Sequence, residues 1–303
     1  MSIILVFIKM AKTYFICSDV HDDVEALAKF TDYAQSERAD RILIAGDLSL
    51  RPYSRKDLES LLVTKDVPAF LKAKRNHNSA VLKEMKGVLD KSGIAYNVVP
   101  GNYDGDFEDI FNEKNLHLKS EQIDGFKISG YGGADAYPQH IGLLVDLNEI
   151  IAFDPNELYS FLRKERPDVI LSHDPPNQFC DNMFNGRNAG TMALTKFMAA
   201  FFPQLVISGH IHESGPGADN PQHNCGIATM GEEEQTVVLN PGNLGRFELL
   251  QFPSLETGMQ FDYGTFIKVD LENNGKPAKV KQYAMQDLNR TVGRIRQIRE
   301  HSF

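Results

Sequence analysis

Seven side chains able to bind a metal ion stand where apolar runs stop. Asp19 and His21 follow "TYFICS", Asp47 follows "RILIAG", and Asn102 follows "YNVVPG". His173 follows "DVILS", while His210 and His212 follow "QLVISG". Each piece alone is weak, because Asp-x-His arises by chance and Gly-Asp is a common turn. A lone imidazole at a strand end is more often a hydrogen-bonded structural residue than a ligand. The set is more specific. Carboxylate, amide and imidazole donors without thiolate suit Mn²⁺, Fe, Zn²⁺ or Co²⁺ at octahedral or five-coordinate sites. A structural zinc site would use cysteines, and Cys17, Cys180 and Cys225 lie far apart in the chain.

The donors can act together only if the chain brings strand ends to one edge. Residues 13–18, 41–45, 95–99, 126–131, 168–172 and 204–208 read as strands. Helical apolar spacing over Val24–Ser36 separates the first two, which makes a βαβ unit with a parallel pair. Helices are also expected over 156–164 and 190–201. Residues 226–230, 235–239, 265–271 and 280–285 form a strand-rich tail. Residues 287–300 read as an amphipathic surface helix on Leu288, Val292 and Ile295. In an open α/β sheet, ligands gather at the carboxyl ends of the strands.

Between residues 51 and 91 the charge reverses. Ten Lys/Arg face five Asp/Glu, in a chain of net charge −9. Helical patterns cover 57–70 and 78–91. The segment reads as a helical insertion that is either solvated, a basic cap over an anionic ligand, or a dimer surface. The chain of 303 residues is expected to form one domain. Its acidic balance disfavours long nucleic acids as partners but not a small phosphorylated substrate met by metal ions. The apolar run at 3–8 is too short to span a membrane and lacks a signal-peptide cleavage pattern. Residues 1–12 read as an extension, with Met10 a candidate start. Unpaired cysteines point to a reducing, cytoplasmic setting without disulfides.

In order, "SDVH", "AGDL", "PGNYD", "SHDPP" and "SGHIHES" resemble the five blocks of the calcineurin-like metallophosphoesterases. "NPGNLG" is similar to a late turn of that superfamily, and "SHDPPNQFCD" with "SGHIHESG" resembles the group called Icc-related predicted phosphoesterases. The likeness runs from Thr13 to Gly245. It implies a four-layer α/β/β/α sandwich with two divalent metals at one edge. By motif, Asp19, His21, Asp47 and His212 would hold one metal. Asp47, Asn102, His173 and His210 would hold the other, with Asp47 shared. A hydroxide formed between the metals would then attack phosphorus in line. Asp104, Asp174 and Glu213 are candidates to orient the imidazoles, and Arg51 and Arg187 to contact phosphate.

One position departs from the pattern. Many members carry His directly after the Asn of "PGN", where it assists the leaving oxygen. This chain has Tyr103. A phenol of pKa about 10 donates a hydrogen bond but is a poor proton donor at neutral pH. His77 or His140 could supply the proton instead. Asp47, Asn102, Tyr103 and Asp104 are thus the candidate catalytic residues. The expected function is a two-metal phosphodiesterase on a small nucleotide or similar metabolite. The alternative is a binding or scaffold module that kept the fold and lost catalysis. Tyr103 argues for the alternative, and the complete donor set argues against it.

Overall fold

The central strands bury both faces, so they read as continuous apolar runs rather than as alternation. In a computed structural model the described residues are 11–49, 55–105, 107–135, 153–217, 225–232, 235–250, 254–286 and 294–303. Strands β1 (Lys12–Cys17), β2 (Arg41–Ile44) and β3 (Ala95–Val98) pair in parallel. Phe15, Cys17, Ile42, Ile44, Tyr96 and Val98 face one core. Tyr14, Ile16 and Leu43 face another. Helix α1 (Val24–Ser36) covers the first core through Leu27, Phe30 and Ala34, and Asp23 caps it by accepting from Ala26 N. Parallel strands need a crossover. From β2 to β3 it comprises α2 (Arg55–Thr64) and α3 (Val67–Ser92), after which α4 (Phe107–Phe111) follows β3.

The second half of the chain repeats the plan. Strand β4 (Lys119–Ile123) pairs antiparallel with β5 (Phe126–Tyr131). Helix α5 (Pro155–Glu165) leads to β6 (Val169–Ser172), and α6 (Met192–Phe201) leads to β7 (Leu205–Ile207). Strands β8 (Ile227–Met230) and β9 (Thr236–Leu239) complete a six-stranded sheet ordered β4-β5-β6-β7-β9-β8. A hairpin of β10 (Phe247–Leu250) and β11 (Thr257–Phe261) stands apart. Strands β12 (Gly264–Leu271), β13 (Pro277–Gln286) and β14 (Arg294–Ser302) join the first sheet, ordered β14-β13-β12-β1-β2-β3.

Three apolar layers result. One lies between α1, α3 and the first sheet. A second lies between the sheets, where Ile16 and Leu43 join Leu171 and Ile207. A third holds Ile170, Val206 and Val238 with Leu158 and Phe197 of α5 and α6. This is the four-layer α/β/β/α sandwich. Among the described residues no helix is long and apolar enough to cross a membrane.

Three expectations need correction. The two helical patterns at 57–70 and 78–91 are broken elsewhere: α2 ends at Thr64, and Asp66 caps α3 by accepting from Ala69 N, with Pro68 in the first turn. Leu82, Met85 and Leu89 of α3 lie in the first core, so this part of the basic segment is the crossover helix and not a solvated insertion. The C-terminal stretch is not helical where it is described. Residues 294–302 form strand β14 along β13, with Arg294, Arg296 and Arg299 exposed on the sheet edge. Pairing with β13 overrides a helical spacing that rested on three apolar residues. Of the extension at 1–12, residues 1–10 lie outside the described residues, and Lys12 belongs to β1.

Candidate metal centre

The donors do converge at strand ends. Asp19 and His21 follow β1, Asp47 follows β2, Asn102 follows β3, His173 follows β6, and His210 and His212 follow β7. Asp19, His21, Asp47 and His210 all have positive φ, between 48° and 65°. Non-glycine residues seldom adopt this conformation without compensating contacts. The contacts here are backbone hydrogen bonds between neighbouring loops. Asp19 N donates to Gly46 O at 2.9 Å and His21 N to Asp47 O at 3.1 Å. Gly209 N donates to His173 O at 2.9 Å.

Two groups form. In the first, His212 Nε2 lies 3.0 Å from Asp19 Oδ1 and 3.1 Å from His21 Nε2. In the second, His173 Nε2 lies 3.1 Å from Asn102 Oδ1 and 3.4 Å from Asp47 Oδ2. His210 joins Asp47 and His173, so each group offers three ligand atoms within 4.8 Å of one another. The His210 ring stands edge-on to His173 at 5.1 Å. His210 N donates to Asp19 Oδ2 at 3.0 Å, which joins the two groups and the two sheets.

The donor atoms crowded into each group fit a cation better than they fit one another; without metal, a proton on His173 takes that place beside Asp47. Asp19, His173, Asp47 and His21 are at most 2% exposed. Buried carboxylates without a compensating cation are costly. Burial pulls His21 down to about 4, with the neighbouring carboxylates opposing, so its ring is neutral and its lone pair available. Burial and the charge of His173 pull His210 down to about 3. Burial acts the same way on His173, but Asp47 outweighs it and raises that imidazole to about 10. Asp47 stays below the usual carboxylate range because His173 offsets its burial. The donor set therefore fits two divalent ions.

Close packing fixes these positions. A Cβ on Gly101 would stand 2.0 Å from Asp47 Oδ1, so only glycine lets the β3 loop touch that carboxylate. Gly46 alone of the three flanking glycines also needs its positive φ, 94°. Gly101 and Gly209 are required for close approach and not for left-handed turns, as a Cβ on Gly209 would meet Ser18 Oγ at 1.8 Å.

The candidate supporting residues divide. Asp104 touches no imidazole. It accepts from Gly101 N at 2.8 Å and from Ser49 N at 2.8 Å, stapling the β2 loop to the β3 loop. Burial and the nearby Asp47 push its carboxyl up to about 7. At 1% exposure it holds the amides beside Asp47 and Asn102 rather than a ligand of its own. His173 is oriented by Ala45 O, 2.6 Å from Nδ1, and not by Asp174. Glu213 Oε1 accepts from Phe184 N at 3.2 Å, tying that loop to the His212 turn. The Tyr103 backbone is bound into the site, its N–H donating to Asp47 Oδ1 at 2.9 Å and its carbonyl accepting from Asn78 Nδ2 at 3.2 Å. His77 Nε2 lies 2.9 Å from Asp22 Oδ2, so α3 leans on the residue beside His21. Arg187 is exposed, and its guanidinium contacts neither group. Arg51 and His140 lie outside the described residues.

Sequence reasoning missed three contributors. Asn240, first residue of "NPGNLG", donates through Nδ2 to Gly209 O at 3.3 Å and Ile211 O at 3.1 Å, on either side of His210. Its Oδ1 accepts from Gly242 N at 2.8 Å. The motif was visible, but nothing in it said which loop it braced. Phe247 and Phe261, on the β10–β11 hairpin, stack at 4.8 Å. Phe247 lies 4.1 Å from His21, and Phe261 lies 5.1 Å from His212. The hairpin strands are short and interrupted by polar residues, so no periodicity marked them.

Comparison with known proteins accords with this geometry. A family model described as calcineurin-like phosphoesterase matches residues 12–214. No curated protein sequence matches the chain. A dimetal phosphatase from Danio rerio superposes with a TM-score of 0.53 at 12% identity, over 91% of this chain and 96% of that one. The TT1561 protein of Thermus thermophilus gives 0.50 at 17% identity, over 83% and 98%. At such identities the likeness shows the fold and not the substrate. The sandwich, the order of the strand-end donors and the matched family model agree, and the chain belongs to the calcineurin-like phosphoesterase family, whose metal-dependent ester hydrolysis its paired donor groups suit.

Proposed function

We propose that the protein is a two-metal phosphodiesterase acting on a small nucleotide or similar metabolite. The observation that carries this reading is the pairing of Asp19, His21 and His212 with Asp47, His173 and His210 at one sheet edge. Asp47 would be shared, with Asn102 the neutral oxygen donor of the second group. Two divalent ions of the Mn, Fe, Zn or Co type supply Lewis acidity that lowers the pKa of water and neutralises phosphoryl oxygens. The chain's own residues hold the geometry. Tyr103 N–H and the Asp104 staple fix Asp47 and Asn102, while burial keeps His21 and His210 neutral.

Tyr103 argues for diesters with good leaving groups. Losing a general acid costs about 10²–10⁴-fold when the leaving oxygen needs a proton. An alkyl monoester would suffer most. The test is metal content with chelator-sensitive cleavage of bis-p-nitrophenyl phosphate, expected at about two metals per chain. Asp47→Asn should abolish loading of both sites while circular dichroism stays native. A wild-type protein inert with added Mn²⁺ supports the scaffold reading instead. Full activity in Asp47→Asn shows that the centre is misassigned.

A further inference from the structure

The β10–β11 hairpin divides the space beside the metal-binding histidines in two. On one side is a polar cavity of about 560 Å³ bordered by His21, Asp22 and Arg246. On the other is a smaller cavity of about 210 Å³ walled by His212, Phe184, Phe261 and Tyr263. Phe261, Gln260 and Asp262 border both. A phosphodiester has two ester arms, and two cavities open beside the site where its phosphorus would sit.

The smaller cavity is built for a flat ring. Phe184 and Tyr263 each leave 41% of their surface exposed and, with Phe261, wall one cavity, so their free ring surface is gathered where a flat ring can stack. Both are held in place. The Phe184 backbone is tied to Glu213, and Tyr263 O accepts from Asn243 Nδ2 at 3.0 Å. Among the described residues no Lys or Arg lines the cavity, while Glu213 and Asp262 do. A phosphate is therefore repelled from it and left to the metal centre. Its volume lies below the roughly 300 Å³ at which drug-sized pockets begin, so it takes one ring system and not an oligomer. Gln260, whose Nε2 donates to Asp262 Oδ1 at 2.7 Å, brings polar groups to the edge of such a ring.

We propose that this cavity takes the nucleobase of a nucleoside-bearing phosphodiester, stacked on Phe184, Phe261 and Tyr263, while the phosphate reaches the metals past His212. The assignment rests on the phosphodiesterase reading for its chemistry but not for its binding. Sequence-tolerant stacking on aromatic side chains is worth about 5- to 140-fold in affinity per base.

The test uses Mn²⁺-loaded full-length protein and two substrates with one leaving group, thymidine 5′-(p-nitrophenyl phosphate) and ethyl p-nitrophenyl phosphate. In Phe184→Ala/Tyr263→Ala the preference for the nucleoside ester over the ethyl ester, taken as kcat/KM, should fall at least about 10-fold through KM. Calorimetric binding of thymidine 5′-phosphate should weaken in parallel, and Phe184→Tyr/Tyr263→Phe should restore it. An unchanged preference, or a nucleotide affinity indifferent to both substitutions, overturns the assignment and leaves the hydrolytic reading standing. Nucleotide binding that depends on the two rings, in a protein that cleaves neither ester, upholds the cavity and removes the phosphodiesterase.

Discussion

The amide of His210 donates to Asp19 Oδ2 at 3.0 Å, and this bond links the carboxyl end of β7 in one sheet to that of β1 in the other. Asp19 Oδ1 faces His212 Nε2 at 3.0 Å. One carboxylate thus fixes the backbone of one donor group and supplies an oxygen to the other. Asp19→Ala should reduce the metal content from about two ions per chain to one or fewer. It should also cost the metal-free protein ~1–3 kcal/mol, because a half-buried amide loses its acceptor. Elemental analysis with denaturant titration checks both. Two ions retained would show that Asp19 is not a ligand.

Metal uptake should release protons. In the metal-free protein His173 is raised to about 10 by Asp47 against the pull of burial, so it carries a proton at pH 7. A ligating imidazole must be neutral, and that proton leaves on loading. His21, held near 4, and His210, near 3, have none to give. At least one proton per chain, that of His173, should appear in a weakly buffered indicator assay at pH 7, and His212, raised by Asp19 against the pull of burial, adds to it. The sign follows: apparent affinity falls as pH drops below about 10, because protons compete for His173. Loading without proton release would place His173 outside the centre.

Two glycines should respond oppositely to alanine. At Gly101 a Cβ would collide with Asp47 Oδ1 and N at 2.0 and 2.3 Å. Gly101→Ala should cost ~1–3 kcal/mol and weaken metal binding, as overpacking forces the carboxylate to move. Gly87, exposed on α3, meets nothing within 4 Å. Gly87→Ala should stabilise by ~0.5–1 kcal/mol, the helix-propensity gain. Thermal melts of the two variants with and without Mn²⁺ separate local crowding from a general effect. A neutral Gly101→Ala would mean that the two loops give way easily.

Tyr103→His should raise activity on diesters with poor leaving groups more than on p-nitrophenyl esters. An imidazole can deliver a proton near neutral pH where a phenol cannot. The backbone bond from residue 103 N to Asp47 is indifferent to the side chain. A uniform change across leaving groups would show that this side chain does not approach the departing oxygen.

The sequence by itself marked the strand ends and the candidate donors on them, and its resemblance to a known family implied the sandwich. Both faces of the central strands are buried, so each appears as an apolar run with a sharp end. A donor type at one strand end is weak by itself, but the recurrence of Asp19, Asp47, Asn102 and His173 at successive strand ends made them legible as a set. The tertiary structure alone decided what stands around them. Asp104, an apparent partner of an imidazole, staples backbone amides, because hydrogen-bond direction depends on which loops meet. Asn240 braces the chain on both sides of His210 from the end of β9, a separate strand. The end of the chain reads locally as a helix and becomes β14, because β13 offers it a ladder of hydrogen bonds. The β10–β11 hairpin carries little periodicity, yet it sets Phe247 and Phe261 against the histidines. Local pattern records what a residue buries, whereas the partner it meets is fixed only when distant segments close on one another.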